Sequence, residues 1–282
     1  MMKTYYLLTK PGIIMGNLIT TAGGFALASK GRIDPWLFFA MLIGLGSVIA
    51  SACVFNNYID RAADAKMART KNRPLAKGAI APWKAIVFAI VVGAFGILFL
   101  ALFTNYLAAS IAALGFFVYV VLYSLWKVHS MHATLVGSIS GAIPPVVGYC
   151  TVSHSLDAGA FLLFAILVLW QMPHFFSIAL YRRDEYAAAS IPVLPNMKGA
   201  YATKVQMLLY VIGFSGATVL LMAFGYVGIA FFTVASVLSA AWLYLSIKGF
   251  KAENDRLWAR SMFRLSLVII TALCVMISFD TV

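Results

Sequence analysis

Acid is what this chain has least of: nine Asp and Glu residues in 282 positions, against 21 Lys and Arg, with all four charged types together at 11%. Cysteine is scarcer still. Cys53, Cys150 and Cys274 lie in or at the ends of apolar stretches with no CxxC-like spacing, so neither a disulfide framework nor a thiolate metal site is indicated and they read as small packing residues. No hydrophilic domain, low-complexity tract or long linker interrupts the chain, which reads as a single domain over residues 1–282. Nor does any Ser–His–Asp or Cys–His pattern point to a protein nucleophile.

What is present is apolar. At 63% hydrophobic residues and a mean hydropathy of +0.94, the chain far exceeds the roughly 45–50% of soluble domains. A water-soluble core cannot hide that much apolar surface, so the chain belongs in a bilayer. Nine stretches are long enough to cross one: 12–28, 35–57, 85–103, 106–126, 133–152, 159–181, 203–223, 226–247 and 261–279. The fold class is therefore all-α, an integral membrane protein of nine transmembrane helices. The first span, preceded by Lys3 and Lys10 and ending in Ala26-Leu27-Ala28, has the outline of a signal peptide. Asn17, Thr20 and Thr21 interrupt it, and it is longer than a typical signal core, so it reads as a retained helix.

The net charge of +12 would suggest nucleic acid in a soluble protein, but here its distribution decides otherwise. With Lys204 and Arg264 counted with the loops they adjoin, 19 of the 21 cations lie on the N-terminal side of the membrane and two opposite. The positive-inside rule makes that side cytoplasmic, with the N-terminus inside and the C-terminus across the membrane. The basic charge is thus mainly topological, and no nucleic acid is expected. The two long polar segments, 58–84 and 182–202, are both cytoplasmic and hold four of the nine acids: Asp60, Asp64, Asp184 and Glu185. Function is expected on that face.

The first polar segment continues "NNYIDRAAD". Asn56, Asp60 and Asp64 are four apart, so on a helix they share a face, about 6 Å from one another and climbing roughly 12 Å from the membrane mouth. Like charges at this spacing repel mildly unless cations intervene, and Arg61 and Lys66 could do so at a solvated helix end. A divalent cation is the sharper reading, since Mg²⁺ takes oxygen ligands, often one or two carboxylates plus substrate phosphates. Arg69, Lys71, Arg73 and Lys77 come next, within nine residues, equipment for a diphosphate. On spacing alone, metal–diphosphate and topological anchor remain evenly matched.

The second segment is reached through "LWQMPHFFSIALYRRDEY". His174 lies deep in its span, beside Pro173, and an ionisable residue there is a functional candidate unless a carbonyl simply satisfies it. Tyr181 is seven residues on, on the same face. Arg182, Arg183, Asp184 and Glu185 make either an interfacial anchor or the other half of a metal site. Gly137, Gly141, Pro144 and Pro145 in the fifth span allow close helix approach or a kinked pocket. Asn17 either lines the same cavity or bonds a neighbouring helix, and His129, His132 and His154 read as solvated loop residues.

"NNYIDRAAD" resembles the NxxxDxxxD motif of the UbiA superfamily of intramembrane prenyltransferases, and "RTKNRPL" and "YSLWK" resemble segments that come after it there. "GAIPPVVGY", "LWQMPHF" and "IPVLP" resemble the bacterial, heme-farnesylating branch. The likeness spans almost the whole chain. It implies nine helices around a central cavity open to the cytoplasmic side, in the inner membrane of a bacterium. It also implies Mg²⁺, one or two ions, held by Asn56, Asp60, Asp64 and Asp184, the carboxylates among them being catalytic. Arg69, Arg73, Lys127 and Lys198 would bind the diphosphate of farnesyl diphosphate, while His174 and Tyr181 would contact heme B, a substrate rather than a prosthetic group. A homodimer or an association with oxidase assembly factors is left open. Departures from the pattern are Asn57, where Asp is common, Val128 after Lys127, and Ala188 four after Asp184. Asp60 and Asp64 are both expected at a wet rim. Transfer to a quinone-precursor ring such as 4-hydroxybenzoate, or a small transporter, stand as alternatives.

Overall fold

A computed structural model describes residues 2–282. Nine helices long and apolar enough to span a membrane are present among them: α1 (Pro11–Ser29), α2 (Pro35–Asp64), α3 (Pro82–Phe103), α4 (Tyr106–Trp126), α5 (Ala133–Ser153), α6 (Ala158–Tyr181), α7 (Gly199–Ala223), α8 (Ile229–Lys251) and α9 (Asp255–Phe279). Their number and order are those read from the sequence. Two differences matter for the site. Helix α2 runs on to Asp64, so the Asn56–Asp60–Asp64 stripe is continuous with the span. Helix α4 turns π-helical over Val118–Tyr123, just before Ser124. Short helices at Met2–Leu8, Arg183–Ala188 and Leu194–Met197 flank the spans.

Helix starts arise from local chemistry. Pro occupies the first turn of α1, α2 and α3, where its missing N–H costs nothing. The scarce acids on the side remote from Asp60 are spent on caps. Asp34 accepts from the Leu37 N–H at 3.1 Å, Asp157 from Gly159 at 2.9 Å, and Asp280 reaches from the end of α9 to the Phe231 N–H of α8 at 2.6 Å. Asn105 does the same for α4 through Ala108. Asp255 instead pairs with buried Lys204, Oδ1 to Nζ 2.5 Å, tying α9 to α7.

Each helix packs on its neighbour in sequence, and α9 closes the set by packing on both α1 and α6. The tightest crossing is α1 on α5. A Cβ added at Gly24 would stand 2.0 Å from the Pro145 carbonyl oxygen, and one at Gly148 2.1 Å from that of Thr21. Only glycine permits this backbone contact, the close approach expected around Pro144 and Pro145. Gly141 likewise makes room for the Gln171 amide.

Candidate active site

The last turns of α2 carry the densest polar group. Asn56 is 3% exposed. Its Nδ2 donates to Ser124 Oγ at 3.1 Å, and its Oδ1 accepts from Lys10 Nζ at 2.6 Å. Ser124 Oγ donates to the Tyr119 carbonyl, so it is free only to accept from Asn56. The π-helical turn thus brings Ser124 under the motif, in keeping with the frequent placement of such turns at functional sites. Asp60 forms an ion pair with Lys127, both side chains nearly buried, and Lys127 also lies 5.3 Å over the Tyr123 ring. Arg73 Nη1 donates to both carboxylate oxygens of Asp64, at 2.9 and 2.8 Å. Asn56, Asp60 and Asp64 are therefore each held by one cation, from three different segments.

Burial pulls the Lys10 ammonium down to about 8, with Asp60 among the groups acting against it. Burial also lowers Lys127, and the Asp60 carboxylate pulls it back up. Asp64 corrects an expectation: rather than standing at a wet rim, it is 5% exposed, enclosed by Arg73 and by Thr70, whose hydroxyl donates to the Asp64 carbonyl. Asn57 also differs from a site ligand. Its Nδ2 donates to the Leu8 carbonyl at 2.8 Å, fastening the N-terminal helix, and its Oδ1 is buried without a hydrogen-bond partner among the described residues.

The second segment turns Glu185 inward and Asp184 outward. Asp184 is exposed and lines an open cleft of about 740 Å³ with His129, Arg183 and Asn196. Glu185 is half-buried, takes Arg182 on Oε1 at 2.8 Å, and keeps Oε2 buried with no partner among the described residues. Next to it, burial raises the Tyr186 hydroxyl while Arg69 and Arg182 act the other way. Tyr123, near the end of α4, lies under Lys127, the partner of Asp60. Lys198 is exposed at the turn before α7 and forms no ion pair with these groups among the described residues.

His174 is packed rather than solvated. It stacks on Trp170 (4.8 Å between ring centres) and lies against Phe263 of α9 (4.9 Å), which Tyr181 also meets at 5.9 Å. Its Nδ1 is 2.8 Å from Ser266 Oγ. That hydroxyl donates to the Phe263 carbonyl at 2.7 Å, so Nδ1 carries the proton and Nε2 the lone pair.

Oxygen donors at Asn56, Asp60 and Asp64 suit a hard divalent cation that completes its shell with phosphate oxygens. Among the described residues no three His, Cys, Asp or Glu side chains converge, so a closed protein cage is not on offer. The sequence missed Lys10 and Ser124. A lone Lys before Pro at the start of a span looks like a topological anchor, and only the folded chain shows its partner.

Comparison with known proteins places the chain in a family. Residues 17–268 match the profile of the UbiA prenyltransferase family. Protoheme IX farnesyltransferase of Edwardsiella ictaluri is 53% identical over 281 residues, covering 99% of this chain and 95% of that protein. The protein of the same name from Protochlamydia amoebophila is 51% identical over 282 residues, covering both chains in full. In fold, the chain resembles a structure of digeranylgeranylglyceryl phosphate synthase (TM-score 0.81, 17% identity, 98% of each chain). It also resembles a UbiA homologue from Archaeoglobus fulgidus bound to GPP and Mg²⁺ (TM-score 0.69, 14% identity, 98% of this chain and 99% of that one). A transporter has no place among these relatives: the chain belongs to the UbiA prenyltransferase family.

Proposed function

We propose that this enzyme transfers the farnesyl group of farnesyl diphosphate to a vinyl group of heme B, with addition of water, giving heme O. The observation that carries the reading is the stripe of three oxygen-bearing residues on α2, each met by a cation from another segment. Near-full-length identity of 53% to a protein named protoheme IX farnesyltransferase supports the choice of acceptor. Asn56, Asp60 and Asp64 would hold Mg²⁺, and Asp184 and Glu185 are the carboxylates available to a second ion. When bound, Mg²⁺ supplies Lewis-acid neutralisation of the charge that develops on the leaving diphosphate.

Arg69, Arg73, Lys127 and Lys198 meet phosphate oxygens, and their charge favours departure of the diphosphate with the electron pair of the C1–O bond. The terminal vinyl carbon then bonds to C1. The cation left beside the pyrrole ring takes water and loses a proton, which completes the hydroxyethylfarnesyl chain. His174, fixed by Ser266 with its lone pair on Nε2, and Tyr181 orient heme B. The charge pattern supports an inner-membrane orientation with this site on the cytoplasmic face. The test is to incubate the purified protein in lipid with heme B, farnesyl diphosphate and Mg²⁺, and to track porphyrin masses by chromatography. A product heavier by a farnesyl and a hydroxyl group, lost on chelation, is expected. Prenylation of an added phenolic acid with no heme product would overturn the acceptor.

A further inference from the structure

Lys10 belongs to no motif, yet the chain is bent to deliver it. Its backbone is left-handed, φ 53° and ψ 67°, a conformation a residue with a Cβ seldom adopts without outside support. The support is at hand. Asn57 bonds the Leu8 carbonyl, and the residue before it, Asn56, receives the Lys10 ammonium. A lysine serving only to mark the cytoplasmic side needs neither the strain nor the fastening. Lys10 instead does at Asn56 what Lys127 does at Asp60 and Arg73 at Asp64.

If the site holds a metal and a diphosphate, these three cations and the divalent ion seek the same oxygens. We infer, on the basis of that proposed function, that Lys10, Lys127 and Arg73 compete with the metal for Asn56, Asp60 and Asp64, that metal and diphosphate consequently bind together, and that Lys10 is a further contact to the diphosphate. Charge decides it. Two carboxylates already face three cations, so a metal ion arriving alone would leave three displaced cations beside a dication. A prenyl diphosphate brings about three negative charges, which with one Mg²⁺ brings the formal sum to zero and gives each displaced cation a phosphate oxygen. The metal takes the carboxylate and amide oxygens, and the cations move to the phosphates.

Opposite signs for the two ligands are therefore required when Lys10 loses its charge. Full-length protein in lipid nanodiscs is titrated with Mn²⁺ alone, read by loss of the free-ion paramagnetic signal. In a second titration it takes farnesyl thiodiphosphate, a slowly ionising analogue, with Mg²⁺ present. In Lys10→Met, affinity for Mn²⁺ alone is expected to rise about tenfold and affinity for the thiodiphosphate to fall about tenfold, the scale of one charge-assisted contact. Lys10→Arg should stay near wild type in both. Lys10→Gln, closer to lysine in polarity, should shift in the same two directions and serves if the Met variant folds poorly. Both affinities falling together, or neither moving, would overturn the inference. No heme enters either titration, so a failure of heme farnesylation is read separately.

Discussion

Asn57 makes a bond that only a donor can make, from Nδ2 to the Leu8 carbonyl, and this accounts for the amide where an aspartate is common in such motifs. Asn57→Asp would set a carboxylate against a carbonyl at a position 1% exposed. We expect it to cost about 1–3 kcal/mol of local stability. Hydrogen exchange over residues 2–10 should speed up while the spans stay protected. Asp60→Asn and Asp64→Asn should each lower turnover at least a hundredfold, from loss of a charged ligand worth about 3 kcal/mol. Asp64→Asn should also lower thermal stability, because Arg73 loses a carboxylate partner in a nearly closed setting. Asp60, Asp64 and Arg73 were legible because their spacing and order carry meaning before folding. Lys10 was not, since its role comes from a left-handed turn and from Asn56, forty-six residues away in sequence. Which of two adjacent acids turns inward at Asp184-Glu185 depends on the break at Arg182, which no periodicity announces.

Among the elements, the contact of α1 with α5 is the least forgiving. Gly24→Ala would drive a methyl into the Pro145 carbonyl, where no side chain can rotate away. A loss at the upper end of the overpacking range, about 3 kcal/mol, is expected as a lower melting temperature in detergent. Gly216→Ala in α7 is the control. Nothing lies within 4 Å of its added Cβ, so the melting temperature should hold or rise slightly. The spans themselves could be read from hydropathy because each must be apolar over its whole length, and their ends because Pro, Asp and Asn mark them. The π-helical turn in α4 could not, since Val118–Tyr123 is an unbroken apolar run whose backbone register is set by packing.

At the scale of the whole molecule, nine spans and one-sided cations predict that the two termini face opposite compartments. Reporter fusions in a bacterial host should show an N-terminal tag protected from the outside and a C-terminal tag exposed there. The same side reported for both would contradict the orientation. With that orientation the polar segments after α2 and α6 share one face, as one site acting on a diphosphate and a second substrate requires. The most direct measurement is to run heme B, farnesyl diphosphate and Mg²⁺ with the wild-type protein and with Asp60→Asn, in water labelled with heavy oxygen, and to weigh the porphyrin products. A porphyrin heavier by a farnesyl and one labelled hydroxyl group is expected from the wild type, and next to none from the variant or with chelator present. Equal product from both proteins, or a farnesylated porphyrin without the label, would contradict the proposed chemistry.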